Sequence, residues 1–392
     1  MGRHLTLLLL LFGCGPSYAQ INFLYTNDDP LDLPNTVSAF SVDAAGALVP
    51  LPGSPFETGG RAHGGNGYSG RRIIASPDGR FLFVSNTGSN DISVFAIDGD
   101  NGDLLPVADS PFATGNSNNG VSLTVTPDSK FLYVTSLNGS NILGYSVADD
   151  GRLSQLPGFP LPLSSAPMNS AISPDGRFLA VALLRFDMGL IAMFNIGSDG
   201  SLTVSPSSPF QDGVFGTIQS LDINCASDRM FAGNSSGLSK IDVLSISGDG
   251  TVGHIAGSPF TPPGNGVFSI LLAPDGQHLF SGTQNGSQAA VNAFDVDLNG
   301  GLSAVAGSPF DAPGSFLVGG LATTLTGDYL FAASGNRAVN SFGLGGDGAL
   351  ALVPNSPFET GHPSFIISIA TYPPRLCQIM PEGLQRSSPV TK

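Results

Sequence analysis

A few residues in this chain have the types needed to activate a water and hold the anion that its attack creates. His63 stands in the Gly-rich stretch "ETGGRAHGGNGYSG" (Glu57 to Gly70), with Arg71 and Arg72 directly after it. His362 and Arg337 lie near the far end of the chain, and "NDDPLD" near the start supplies Asp28, Asp29 and Asp32. Hydrolysis of this kind needs a base for the water, donors for a carbonyl oxygen and a cation for the acid formed. His63 or His362 could be the base. Arg72 and Arg337 could hold the carbonyl or carboxylate, with Arg71 and Asp28 as further binding residues. The plainer alternative is a set of ordinary polar loop residues. Arg185 with Asp187, in "LLRFDMG", is a second candidate pair and reads equally well as a surface ion pair. His254 and His278 fall inside apparent strands and read as structural. Residues from both ends of the chain form one group only if those ends lie side by side.

The repeats say that they do. "SPF" recurs at Ser54, Ser110, Ser208, Ser258, Ser308 and Ser356, and "LPGFPLP" (Leu156 to Pro162) fills the gap as a degenerate copy. That makes seven copies, spaced about fifty residues apart. In phase with them run "SPDGRFLFVSN" (Ser76 to Asn86), "TPDSKFLYVTS", "SPDGRFLAVAL" and "APDGQHLFSGT". Pro-Asp-Gly is a tight turn: Pro presets φ, Asp bonds back to the backbone and Gly accepts positive φ. The residues after it alternate as a strand does. Each unit parses as four short strands, A to D, with an Asp/Gly hairpin between C and D. Four strands per unit and seven units predict an all-β, seven-bladed β-propeller.

From Gln20 the chain opens on a B strand, "INFLYTND", and ends on an orphan A strand, "SFIISIATY" (Ser364 to Tyr372). Together they should complete one blade and cover open sheet edges. His63 and His362 then become neighbours, in loops leading to adjacent A strands. "SPF" is expected just after strand D, where Pro stops the strand and Phe wedges between blades. Arg80, Lys130, Arg177 and Arg229 follow A-to-B turns and belong to the opposite face.

"FLYVTS", "FLFVSN" and "FLYTND", each followed by an alternating strand and a Gly-x-Leu, resemble the repeats of the YVTN and seven-bladed lactonase propellers. That group includes 6-phosphogluconolactonase-like enzymes. The resemblance implies this fold over all seven units and a lactone-opening hydrolase of sugar or organic-acid lactones. It also implies His and Arg near the starts of A strands, often as Pro-x-His. This chain departs from that pattern. It has Arg72, Ser122, Asn169 and Ser269 at those starts and no Pro-x-His, and His362-Pro363 has the reverse order. A non-catalytic propeller that binds glycan or protein therefore stands as the alternative. Trp-dependent propeller families fit poorly, because the chain has no Trp.

Composition agrees with a Gly- and Pro-rich β protein. The 392 residues include 52 Gly and 30 Pro, and only 11% are charged. A net charge of −15 disfavours nucleic acid as a partner. Residues 1–19 read as an export signal: basic Arg3, an apolar run too short to span a bilayer, and Ser17-Tyr18-Ala19 before the cut. Leu11 to Cys14 resembles a lipoprotein box, so Cys14 is a candidate lipid anchor. The expected layout is a leader (1–19), a monomeric propeller (20–374) and a polar, disordered tail (375–392), periplasmic or secreted, with no transmembrane span. No cofactor or metal is expected, since "DGDNGD" (Asp98 to Asp103) imitates a calcium loop but is explained by the hairpin. Cys225 and Cys377 could pair, but the sequence reading leans toward one buried thiol and one tail thiol.

Overall fold

A computed structural model of the chain describes residues 22–64, 71–115, 120–213, 216–235, 239–314, 316–334, 337–360, 368–374 and 377. The leader with Cys14, His362 and the tail beyond Cys377 lie outside the described residues. Among the described residues there is no helix, and hence none long and apolar enough to cross a membrane.

Seven antiparallel sheets form the blades of a propeller, as the repeats predict. The inner A strands touch their neighbours all the way round. The closing blade takes strand A from the C-terminus, Ser368–Tyr372, and pairs it with strand B, Asn22–Asn27, in the register Thr26↔Ile369. Its strand C is Pro34–Val42 and its strand D begins at Leu48–Pro50. Six further blades follow in chain order. Blade 1 has A Ile73–Ala75, B Phe81–Asn86, C Asp91–Ile97 and D Leu104–Pro106.

Burial falls from centre to rim. Strand B of blade 1 is buried at every position because both its faces meet neighbouring blades, whereas strand D buries only its first residue. The turn before strand B closes on itself. Ser76 Oγ donates to Asp78 and accepts the Phe81 N–H (2.9 Å), and Gly79 takes φ +75°. On this back face Arg80 and Arg177 reach carbonyls of Asp149 and Gly248 in a neighbouring blade's hairpin, so these charges also tie blades together.

"SPF" proves to be an interruption of strand D, which corrects the expectation that the strand stops there. In blade 1 the chain resumes at Phe112–Ala113 and pairs again with strand C, Ile92↔Phe112. The Ser hydroxyl takes over the bond lost at the break. Ser54, Ser110, Ser208, Ser258, Ser308 and Ser356 each accept the N–H of a strand C residue at 2.9–3.1 Å: Ala39, Val94, Met193, Val243, Ala293 and Ser341. The X–Pro peptide is cis in all seven copies. The Phe packs half-buried against clusters drawn from two blades, as expected of a wedge; Phe56 and Phe112 are examples. The degenerate copy shows the logic from the other side. Phe159 has no hydroxyl to offer, and its ring lies over Gly144, where a Cβ would come within 2.7 Å of it. Only glycine fits opposite that ring.

Cys225 and Cys377 form a disulfide, with Cα atoms 5.1 Å apart, which overturns the free-thiol reading. The spacing hid it, because Cys225 lies in the A-to-B turn of blade 4 and Cys377 follows the closing strand. The bond ties the C-terminal segment across the ring. Replacing Cys225 by Ser should lower the unfolding free energy by about 2–4 kcal/mol, measured by urea melts of oxidised protein. An unchanged midpoint would show that the bond constrains nothing.

Candidate functional site

The loops that join B to C and D to A share one face of the ring, and His63 is held there by strand pairing. The resumed strand D of the closing blade runs six residues, Phe56–Arg61, where five other blades have two or three and blade 4 has a single bridge at Phe260. It pairs as far as Pro34↔Arg61, and the Ala62 N–H then donates to the Leu33 carbonyl (2.9 Å). Loop 28–33 and His63 are thus carried up together. Asp32 takes φ +52°, and its carbonyl accepts from Arg61 at 2.7 Å. The result is a dyad in which His63 Nδ1 lies 3.0 Å from Asp32 Oδ1, with side chains 46% and 67% exposed. Sequence reasoning placed Asp32 in this loop but did not pair it with His63.

Arg72 is somewhere else than expected of a catalytic group. Its side chain is 2% exposed and ion-paired with Asp29, itself 1% exposed. The other Asp29 oxygen accepts from Thr87 (2.8 Å), and the Thr87 hydroxyl in turn accepts the His63 N–H (3.0 Å). Arg72 therefore supports the His63 backbone through Asp29 and Thr87. Its backbone is held too, by Ser368 Oγ on its N–H and Asn27 on its carbonyl. Burial pushes the guanidinium down to about 10, still charged at neutral pH. Asp28 is also withdrawn, fully buried and accepting hydroxyl bonds from Thr26, Thr36 and Ser38. It anchors the closing blade from within.

Arg71 is the cation that meets open space. It lines the central channel, a cavity of about 250 Å³, together with Asn169, Ser220 and Ser269 near the starts of A strands. Its side chain crosses from blade 1 to blade 4, donating to the Leu221 carbonyl (3.0 Å) and lying 3.6 Å from Asp222 Oδ1. Asp222 was missed, although an acid within the apolar inner strand "SLDIN" was a visible break in pattern. Strand A bulges at this level in blades 2 to 6, which re-aims Ser122, Asn169, Ser220, Ser269 and Gly320. Several of these residues join neighbouring blades: Ser122 Oγ accepts the Ser170 N–H and Ser220 Oγ the Ile270 N–H.

The remaining candidates divide. Arg337 sits where the sequence placed it, in a B-to-C loop with φ +66°, its carbonyl bonded to the Thr360 N–H. Arg185 forms a bidentate, exposed pair with Asp187 at 2.7 and 2.8 Å. Hydrogen bonding to Arg185 holds the Asp187 carboxyl below its ordinary range. This is the surface ion pair of the plainer reading. His254 bonds the Asp212 carbonyl and His278 bonds Asp275, so both are structural. Among the described residues no group of three or more His, Cys, Asp or Glu is arranged to hold a metal. The Asp98 to Asp103 segment is a hairpin, with the Gly102 N–H on the Asp98 carbonyl.

Comparison with known proteins agrees with the repeats. The family model "Lactonase, 7-bladed beta-propeller" matches residues 30–116. A structure from Bacteroides fragilis, described as "a putative 6-phosphogluconolactonase", superposes with a TM-score of 0.70 at 19% identity, covering 91% of this chain and 99% of its own. A Bacteroides uniformis structure with the same description gives 0.71 at 17%, covering 89% and 99%. The Pseudomonas aeruginosa periplasmic gluconolactonase PpgL gives 0.68 at 16%, covering 89% and 98%. No curated protein matches the chain. The chain is thus a seven-bladed propeller that resembles the lactonase propellers over residues 30–116; identities this low establish likeness of fold alone.

Replacing Arg72 by Met would leave the Asp29 carboxylate buried without its counter-ion. That should cost about 3–5 kcal/mol, whereas Thr87→Val should cost about 1 kcal/mol. Denaturant melts of both variants check the order. Wild-type stability in the Arg72 variant would mean that the pair supports nothing.

Proposed function

We propose that the protein is an exported lactone hydrolase acting on sugar or organic-acid lactones. The observation that carries this is the His63–Asp32 dyad, exposed on the face where Arg71 enters the channel. His63 Nδ1–H donates to Asp32, which leaves Nε2 to take a proton from water. The hydroxide adds to the lactone carbonyl and the ring C–O bond breaks. The departing alkoxide then takes the proton back from Nε2. The carboxylic acid so formed releases its proton to solvent, and Arg71 offers a guanidinium to the resulting carboxylate. The leader-like N-terminus favours an extracytoplasmic substrate without phosphate, and the fold likeness to a periplasmic gluconolactonase supports the same reading.

A second reading, a non-catalytic propeller that binds glycan or protein, is favoured by one observation. Arg72 and Asp28 are withdrawn from solvent, Arg72 paired with Asp29 and Asp28 capped by hydroxyls.

Hydrolysis by the chain from Gln20 onward, followed by pH-stat over a panel of aldonolactones, separates the two. His63→Ala should lower kcat about 10²–10⁴-fold, and Arg71→Ala should mainly raise KM. A flat trace on every lactone, from protein folded by circular dichroism, would leave the binding propeller standing.

A further inference from the structure

At the seam between blades 3 and 4 an acid stands where blades 1 and 6 carry a donor. The position lies one residue before the strand C amide that bonds the SPF serine, and is occupied by Ser93 in blade 1, Asn340 in blade 6 and Asp242 in blade 4. Ser93 Oγ donates back to the Thr58 carbonyl of the preceding blade (2.7 Å), and Asn340 Nδ2 donates back to the Pro313 carbonyl (3.1 Å). A carboxyl group can donate only when it carries a proton. Asp242 is fully buried, and neither of its oxygens has a hydrogen-bond partner. In the preceding blade Asp212 takes the place of Thr58, each two residues after the SPF phenylalanine. It is 6% exposed, and His254 faces both residues, its Nε2 toward the Asp212 carbonyl and its Nδ1 toward Asp242 Oδ1, so a second buried carboxyl lies on the same seam.

We propose that Asp242 and Asp212 share one proton and act as a pH-operated latch between blades 3 and 4. The protonated Asp242 donates to the Asp212 carboxylate, as Ser93 and Asn340 donate to their preceding blades. Loss of that proton leaves two buried like charges facing each other. Asp212 passes the change to the ligand face. Its Oδ1 accepts the Gly189 N–H (2.9 Å) and its N–H donates to the Gly189 carbonyl (3.1 Å), which pins the end of the loop that bears Arg185 and Asp187. A Cβ at Gly189 would collide with the Asp212 carboxylate, so the two are in direct contact.

The other charged groups at the seam are Lys240, beside Asp242 on its own strand, and His254 on strand D of blade 4. His254 is one-third exposed, with Nδ1 3.7 Å from Asp242 Oδ1, too far for a hydrogen bond. Its Nε2 faces the Asp212 carbonyl at 2.9 Å and so carries a hydrogen. Lys240 turns its ammonium to the Thr261 hydroxyl. Burial first, and the charge of Asp212 second, push the Asp242 carboxyl up to about 7, with Lys240 opposing. A carboxyl raised in the folded state holds its proton better there than when unfolded. Its contribution to stability is complete below the unfolded value of 3.8 and is lost as pH rises through about 7.

The experiment is thermal unfolding of the full chain from about pH 4.5 to about pH 8, for wild type, Asp242→Asn and His254→Gln. The amide of the Asp242→Asn variant keeps a donor for Asp212 at every pH, as Asn340 does in blade 6. The gap in Tm between Asp242→Asn and wild type should widen by several degrees as pH rises and level off above about pH 7. His254→Gln should keep the wild-type slope. Hydrogen exchange at the Gly189 amide should quicken with pH in wild type and not in Asp242→Asn. A constant gap across the range, or a slope abolished by His254→Gln, would overturn the latch.

Discussion

One antiparallel pairing holds the ring shut, and the rest of the molecule is arranged around it. Ser368–Tyr372 must add to Asn22–Asn27, or the inner edge of one blade stays open and six sheets lose their circular packing. The closing blade is accordingly fastened on both sides. Toward blade 1, Tyr25 donates to the Gly102 carbonyl, Asn27 to the carbonyls of Arg72 and Ser85, and Asp29 pairs with Arg72. Toward blade 6, Tyr329 and Ser341 donate to the carbonyls of Ala44 and Gly46. The disulfide then carries the C-terminal segment to blade 4. The buried Arg72–Asp29 pair belongs to this closure, which is why an arginine at the start of an inner strand does not reach a ligand.

The repeat is a set of interchangeable positions, and its exceptions say most about local physics. Ser at the break in strand D satisfies one strand C amide in six blades; the seventh replaces the hydroxyl by the Phe159 ring and strand C yields a glycine beneath it. The seam position before that amide is Ser93, Asn340 and Asp242 in blades 1, 6 and 4, and the apolar Ala192 in blade 3. Among the inner-strand residues described, Asp222 is the carboxylate, and it receives Arg71 and the Leu272 N–H. Phe159 is matched within its own blade by Gly144, whereas Asp222 is matched from other blades by Arg71 and the Leu272 N–H.

With so few charges, most are already engaged by the scaffold. Arg72, Asp28 and Asp29 close the ring, Arg80 and Arg177 tie blades on the back face, and Arg185 pairs with Asp187 in solvent. His63 and Asp32 are exposed on the ligand face, and Arg71, held by the Leu221 carbonyl and Asp222, lines the channel. The dyad depends on the lengthened strand D of the closing blade, so that irregularity supplies the site.

The repeats by themselves determined the seven blades, their four strands, the closure by both ends and the face on which each loop lies. All of these follow from local turn chemistry and strand alternation at a fixed period, which a linear chain displays directly. The same topology told that His63, Arg72 and the acids of loop 28–33 converge. It could not tell which of them pair. Asp28, Asp29 and Asp32 are equivalent in type and almost in position, yet one is capped by hydroxyls, one is buried against Arg72 and one faces His63 in solvent. Strand pleating, the +38° and +52° φ angles of Asp29 and Asp32, and the packing of the next blade make that assignment. The Cys225–Cys377 bond and the Arg71–Asp222 contact across the channel were hidden for the same reason. Each joins parts of the ring that are distant in sequence and brought together only when the ring is closed.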